Sequence, residues 1–152
     1  MTSTSLIFNF MAPVYKKTSP FADTIVRFMT GAILMPHGAQ KLFGLFGGYG
    51  LEATGQFFQQ NMGFSNGYLV ALASGSIEFF GGLFLALGLF TRLSSAAIAI
   101  LLLVALTFHT ANGFFWTSGG YEYPLLWAII AFSYMLKGGG AYSLDRVIGK
   151  EF

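Results

Sequence analysis

Residues 68–90 read YLVALASGSIEFFGGLFLALGLF, residues 91–92 are Thr-Arg, and residues 93–115 read LSSAAIAILLLVALTFHTANGFF. A bilayer-spanning helix needs about 20 predominantly apolar residues, and each stretch meets that length. Glu78 is the one acidic or basic side chain in the first stretch, and His109 is the one histidine in the second. Two spans joined by a two-residue turn run antiparallel, so Thr91-Arg92 marks a tight hairpin. Composition points the same way: 55% of the residues are hydrophobic and 9% charged, where a soluble domain carries about a quarter charged residues. A surface with so few charges is suited to lipid. The chain of 152 residues therefore holds about four such spans with short connections.

Working outward from the hairpin, an earlier span is expected from about Phe21 to Phe46, interrupted by Asp23, Arg27, His37, Gln40 and Lys41. A last span runs from Pro124 to about Leu136, lengthened if Tyr121 and Tyr123 belong to it, and Lys137-Gly138-Gly139-Gly140 stops it. Between the first two spans, Leu51, Phe57, Phe58 and Met62 recur among Glu52, Gln56, Gln59, Gln60 and Asn61. That alternation predicts a short amphipathic helix lying at the membrane surface or folding over the bundle mouth. The expected fold is an all-α membrane protein, a four-transmembrane-helix bundle with a short amphipathic segment after the first helix. No internal repeat stands out, although two paired-helix halves are compatible with the pattern.

Residues 1–20 read as a cytoplasmic N-terminal tail, residues 21–137 as the transmembrane domain and residues 138–152 as a cytoplasmic C-terminal tail. Lys16 and Lys17 follow the short apolar piece Leu6 to Val14 rather than preceding it, so no signal-peptide pattern is clear. Lys16, Lys17, Arg92, Lys137, Arg146 and Lys150 fall before the first span, in the second loop and after the last span. The positive-inside rule then puts both termini and that loop on the cytoplasmic side. Arg92 and Arg146 are most simply topology determinants.

Ionisable side chains inside a span cost a few kcal/mol, so each is a functional candidate. At 100° per residue, Asp23, Arg27, His37 and Lys41 fall within an arc of about 80°, with Gly31 and Gly38 beside it. In the next span Ser74, Glu78, Gly82 and Ala86 stand four apart, a row whose small members let helices approach closely. Lys41, His37, Glu78 and His109 are expected in the outer parts or middle of their spans, with Asn112, Glu122, Tyr121 and Tyr123 near the outer surface. These groups predict one outward-opening pocket; Asp23 and Arg27 form a second, inner cluster. As an i,i+4 pair those two need no function. A Glu78 pair with His37 or Lys41 is equally compatible with a purely structural bolt.

The chain has no cysteine, so it cannot relay electrons through thiols or hold an iron–sulfur cluster by thiolates. Its net charge of +2 is scattered, which gives nucleic-acid binding nothing to rest on. No local ligand spacing supports a metal site. A haem between His37 and His109 rests on two histidines at comparable depth and on nothing else.

Six segments in order resemble one known family: Pro36-His37-Gly38-Ala39-Gln40-Lys41-Leu42-Phe43-Gly44, Ile77-Glu78-Phe79-Phe80-Gly81-Gly82, Ala86-Leu87-Gly88-Leu89-Phe90-Thr91-Arg92-Leu93, Asn112-Gly113-Phe114-Phe115, Gly120-Tyr121-Glu122-Tyr123-Pro124 and Tyr142-Ser143-Leu144-Asp145-Arg146. They are similar to the core of the DoxX family. The resemblance implies a four-helix bacterial inner-membrane protein. It also implies an electron-transfer setting, since members resemble the small membrane subunit associated with thiosulfate:quinone oxidoreductase and others are linked to membrane complexes handling oxidative stress. It makes His37, Gln40, Lys41, Glu78, Asn112, Glu122 and Tyr123 family-motif positions.

The leading expectation is a redox-associated subunit binding a quinone or lipid-like ligand between helices. Glu78 and His37 would serve as proton donor and acceptor, with Lys41 stabilising negative charge; Gln40, His109, Asn112, Glu122 and Tyr123 would line the ligand site. The expected partners are the lipid bilayer and either further copies or other membrane subunits. The alternative is a non-enzymatic scaffold or assembly subunit of a larger complex. A small-molecule or ion pathway is a third reading and would need an oligomer.

Overall fold

The computed structural model describes residues 6–151, and all regular structure in them is helical. Helix α1 runs Ala12–Phe43, α2 Gly50–Met62, α3 Gly67–Leu87, α4 Thr91–His109, α5 Glu122–Lys137 and α6 Leu144–Ile148. Short 3₁₀ turns at Asn9–Met11, Thr110–Asn112 and Trp116–Ser118 link or extend them. Residues 67–87 and 91–112 are long and apolar enough to cross a membrane. The amphipathic helix expected after the first long helix is α2.

Helix α1 starts at Ala12, well before Phe21, so much of the expected N-terminal tail is helical. Pro13 supports that early start: it lies in the first turn, where its missing N–H has no intrahelical partner to lose. Residues 12–19 are exposed, and α1 projects beyond the bundle there. The expected C-terminal tail is also structured, through α6 and a turn docked on the α3–α4 connection.

Burial is inverted relative to a water-soluble domain. Thr30, Gly31, Gly38, Ala71, Ser74, Gly75, Gly82, Ser94 and Ser95 are buried, whereas Phe28, Leu69, Ile100, Leu103, Ile129 and Phe132 are exposed. Small residues at helix contacts and large apolar residues outside are what a lipid solvent selects, because apolar burial between helices gains little there and close contact gains most. The glycines show how close. A Cβ on Gly31 would stand 2.6 Å from the Ala86 backbone nitrogen, and one on Gly38 would stand 2.6 Å from the Gly75 carbonyl oxygen.

Those crossings join α1 to α3 along their length, while α4 packs most extensively on α5. The two pairs meet where residues 77–87 of α3 lie against α4. A small core of Leu34, Leu85, Ile98, Leu102, Ala128 and Tyr134 fills the centre. Residues 67–76 of α3 lean on α1 and α2 instead, so the α3–α4 hairpin opens away from its turn.

The turn end is held by buried charge. Arg27, 2% exposed, donates from Nη1 to the carbonyls of Leu85 and Ala86 at 2.6 and 2.7 Å and from Nη2 to the Tyr142 carbonyl at 2.6 Å. It thus caps the C-terminal end of α3, where carbonyls lack helical partners. Asp145, 1% exposed, accepts from the backbone N–H groups of Phe90 and Thr91 at 2.7 and 2.9 Å and from the Thr91 hydroxyl at 2.7 Å. Its carboxylate caps the N-terminus of α4, a position that favours negative charge. The Asp145 N–H in turn donates to the Gly88 carbonyl.

The expected Asp23–Arg27 pair is corrected by these contacts. Asp23 forms its ion pair with Lys137 at the end of α5, and its carbonyl accepts from the Tyr134 hydroxyl. Arg27 turns inward because three carbonyls and a glycine-lined slot await it: a Cβ on Gly88 would stand 2.6 Å from Nη1.

Candidate functional site

At the end of the bundle opposite the Arg27–Asp145 cluster, α1 brings Lys41 against Glu78 of α3. Their ion pair is 2.5 Å long, and both side chains are largely buried. Glu78 lies in a π-helical turn, Ile77–Gly81, set within α3. A π turn inserts an extra residue into the helical repeat, and such turns recur at functional sites. Here it carries the carboxylate toward α1, while Gly38 lets α1 approach Gly75 and Phe79 closely enough to meet it.

The pair borders a cavity of about 240 Å³ whose walls include Ser74 of α3, Leu101, Leu102 and Ala105 of α4, and His109. Phe58 and Met62 of α2, with Phe64 after it and Phe108 of α4, also border it. Their rings form a run, with centroids 6.2 Å apart for Phe58–Phe64 and 5.5 Å for Phe64–Phe108. The cavity is therefore mostly apolar, with an ammonium, a carboxylate, a hydroxyl and an imidazole on its walls. His109 Nδ1 lies 2.7 Å from the Gly119 carbonyl oxygen. A carbonyl only accepts, so Nδ1 carries the proton, and Nε2 of the neutral ring is the acceptor.

Of the residues expected at a site, Lys41, Glu78 and His109 are brought together. His37 is not. It is exposed on α1 and does not border the cavity. Gly31 and Gly38, which face α3, lie about 40° and 20° to one side of Arg27 around α1, and His37 lies about 80° to the other. Gln40 donates to the Phe46 carbonyl and borders a second cavity of about 240 Å³ that also includes Lys41, Gly48, Tyr49 and Thr54. Asn112 donates to the same Gly119 carbonyl as His109. Glu122 accepts from the Trp116 N–H at 3.1 Å, and the Tyr123 ring stacks on Trp116 with centroids 5.2 Å apart. These three organise the 110–122 connector that positions His109.

His109 borders the cavity and His37 does not, so the two histidines are not brought together there. Among the described residues no group of three or more His, Asp or Glu side chains is placed to hold a metal ion. The π turn and the aromatic run were not read from the sequence. Nothing local encodes the π turn, but Phe58 belongs to the apolar face of the predicted amphipathic helix, whereas Phe64 lies beyond its end.

The DoxX profile matches residues 22–111, well over half the chain. The chain belongs to the DoxX family. The matched span contains α3, α4, nearly all of the bundle portion of α1 and each residue of the Lys41–Glu78–His109 group, so the site is built from the DoxX core. A relative from Haemophilus influenzae, an uncharacterized protein, is 28% identical over 143 residues, covering 90% of this chain and 97% of the relative. No solved structure matches this DoxX protein.

Proposed function

We propose that this DoxX protein is a four-span inner-membrane subunit that binds a quinone head group in the cavity beside Lys41 and Glu78, in the service of electron transfer by a larger complex. The observation that carries the reading is the 2.5 Å Lys41–Glu78 pair on the wall of a mostly apolar cavity of about 240 Å³. An ion pair is costly to hold among apolar side chains, and a ligand with polar edges and an apolar ring suits such surroundings. A quinone supplies two carbonyl oxygens that take up protons as a redox partner delivers electrons. Lys41 would donate a hydrogen bond to one oxygen and stabilise negative charge there. Glu78 would carry a proton to or from the same edge, and His109 Nε2 would do so at the far wall.

In this reading α1, α3, α4 and α5 are the four spans, with both termini and the Arg27–Asp145 cluster on the cytoplasmic side. Titration of the detergent-purified protein with a tail-less methoxybenzoquinone tests it. Glu78→Gln is expected to weaken binding roughly tenfold or more, the loss of one charge-assisted hydrogen bond, with little change in melting temperature.

A scaffold role is the second reading, supported by the same pair joining α1 to α3 beside the Gly38 crossing. It predicts the opposite split: Glu78→Gln lowers the melting temperature and the recovery of partner subunits, and no quinone binds to either protein.

A further inference from the structure

The head-group cavity does not stand alone. Val70, Ser74, Leu101 and Val104 border both it and a groove of about 510 Å³ between α3 and α4. Ile77 and Ala97 border both that groove and a further cleft of about 250 Å³ that reaches Phe90 and Leu93 at the hairpin turn. From Val104 to Leu93 the run covers about 16 Å of α4 at 1.5 Å per residue. Its walls are aliphatic or aromatic apart from the hydroxyls of Ser74, Ser76 and Ser94, and Ser94 Oγ already donates along its own helix to the Phe90 and Thr91 carbonyls. The polar groups thus stand at one end and the hydrocarbon surface along the rest.

The groove has a structural cause. Residues 77–87 of α3 lie against α4, but residues 67–76 are drawn to α1 and α2, and Ala73 and Ala97 leave the facing surfaces shallow. The exposed Leu69, Ile100 and Val104 flank the gap, so it faces whatever surrounds the bundle laterally.

We infer that the ligand is a long-tailed amphiphile that enters from the bilayer between α3 and α4, its head beside Lys41, Glu78 and His109 and its hydrocarbon chain in the α3–α4 groove. The inference rests on the head-group reading above and adds the chain and the route. The occupant is the tail of the same molecule whose head fills the cavity, because the two spaces share a wall and polarity changes along them as it does along such a molecule. The groove holds the first isoprene units or a medium-length alkyl chain.

The test compares a tail-less methoxybenzoquinone with the same ring bearing a decyl chain, by tryptophan fluorescence quenching in phosphatidylcholine nanodiscs. The wild type is set against Ala97→Phe and, on the facing wall, Ala73→Phe, whose exposed position gives the ring room and spares the fold. Each variant is expected to weaken decyl-quinone binding several-fold, because the added ring displaces the chain from its van der Waals contacts with α3 and α4 into bulk lipid, and to leave tail-less binding within about twofold. Unchanged decyl-quinone affinity in both variants, with tail-less binding intact, would overturn the groove assignment and leave the head-group reading standing, the chain then lying in bulk lipid. No binding of either quinone to the wild type would overturn both.

Discussion

At Asp145 two backbone N–H groups and one hydroxyl converge on a buried carboxylate, so the residue closes the α3–α4 turn from a segment more than fifty positions away. Hydrogen bonds to a charged group contribute about 1.5–3 kcal/mol each, and losing a buried acceptor strands its donors. Asp145→Ala is therefore expected to destabilise the protein by roughly 3 kcal/mol in a detergent thermal melt, with Asp145→Asn less severe; a melt unchanged by Asp145→Ala would show that the clamp contributes nothing. Lys41 and Glu78 call for a different comparison. Removing either partner leaves an unpaired charge in an apolar wall, at about 3–5 kcal/mol if the pair is structural. In that case Lys41→Met with Glu78→Met should recover much of the stability lost by each single change, whereas on the quinone reading the single changes leave stability little altered and quinone binding is lost in all three. The sequence made Lys41, Glu78 and His109 conspicuous because ionisable groups in apolar runs are few. It misplaced His37 because a helical wheel gives an arc and not its centre, and the centre is set by Gly31 and Gly38 against α3. Asp145 was hidden for another reason: its partners are backbone groups of a distant turn, which no side-chain pattern reports.

Helices were legible where apolar length alone defines them, in α3 and α4, and where a two-sided pattern does, in α2. Helix α1 begins earlier than hydropathy suggests because Lys16, Lys17 and their neighbours are good enough helix formers once Pro13 opens the first turn. The π turn at Ile77–Gly81 has no sequence signature; it is selected by the fit of Glu78 to Lys41 and of Gly82 to Gly31. At this scale the crossing itself can be tested. Gly31→Val places a branched side chain where even a Cβ would stand 2.6 Å from the Ala86 nitrogen, and α1 cannot move away without breaking the Gly38 contact. Overpacking of this kind costs about 1–3 kcal/mol or more, and a lowered melting temperature with reduced yield is expected. A variant as stable as the wild type would mean that α1 and α3 are not held in this register.

For the whole molecule, the inverted burial pattern and the DoxX match agree on a membrane bundle, and the charges at its two ends support the proposed orientation. The absence of cysteine makes that orientation measurable with single introduced thiols. Ser65→Cys, in the α2–α3 connection, is expected to react with a membrane-impermeant maleimide in intact cells. Lys150→Cys should react only after lysis, and the reverse result would invert the topology. In the proposed orientation the bundle has a cytoplasmic end tied by Arg27 and Asp145, an outer half holding the Lys41–Glu78–His109 cavity, and a lateral groove between α3 and α4 joining that cavity to lipid. The central proposal is that the cavity holds a quinone in the membrane where the protein works. Quinone content per chain, measured in organic extracts of wild-type and Glu78→Gln protein purified side by side, tests this most directly. Near-stoichiometric quinone in the wild type and its loss from Glu78→Gln is the predicted result; an empty wild-type extract, or equal quinone in both, would contradict the account.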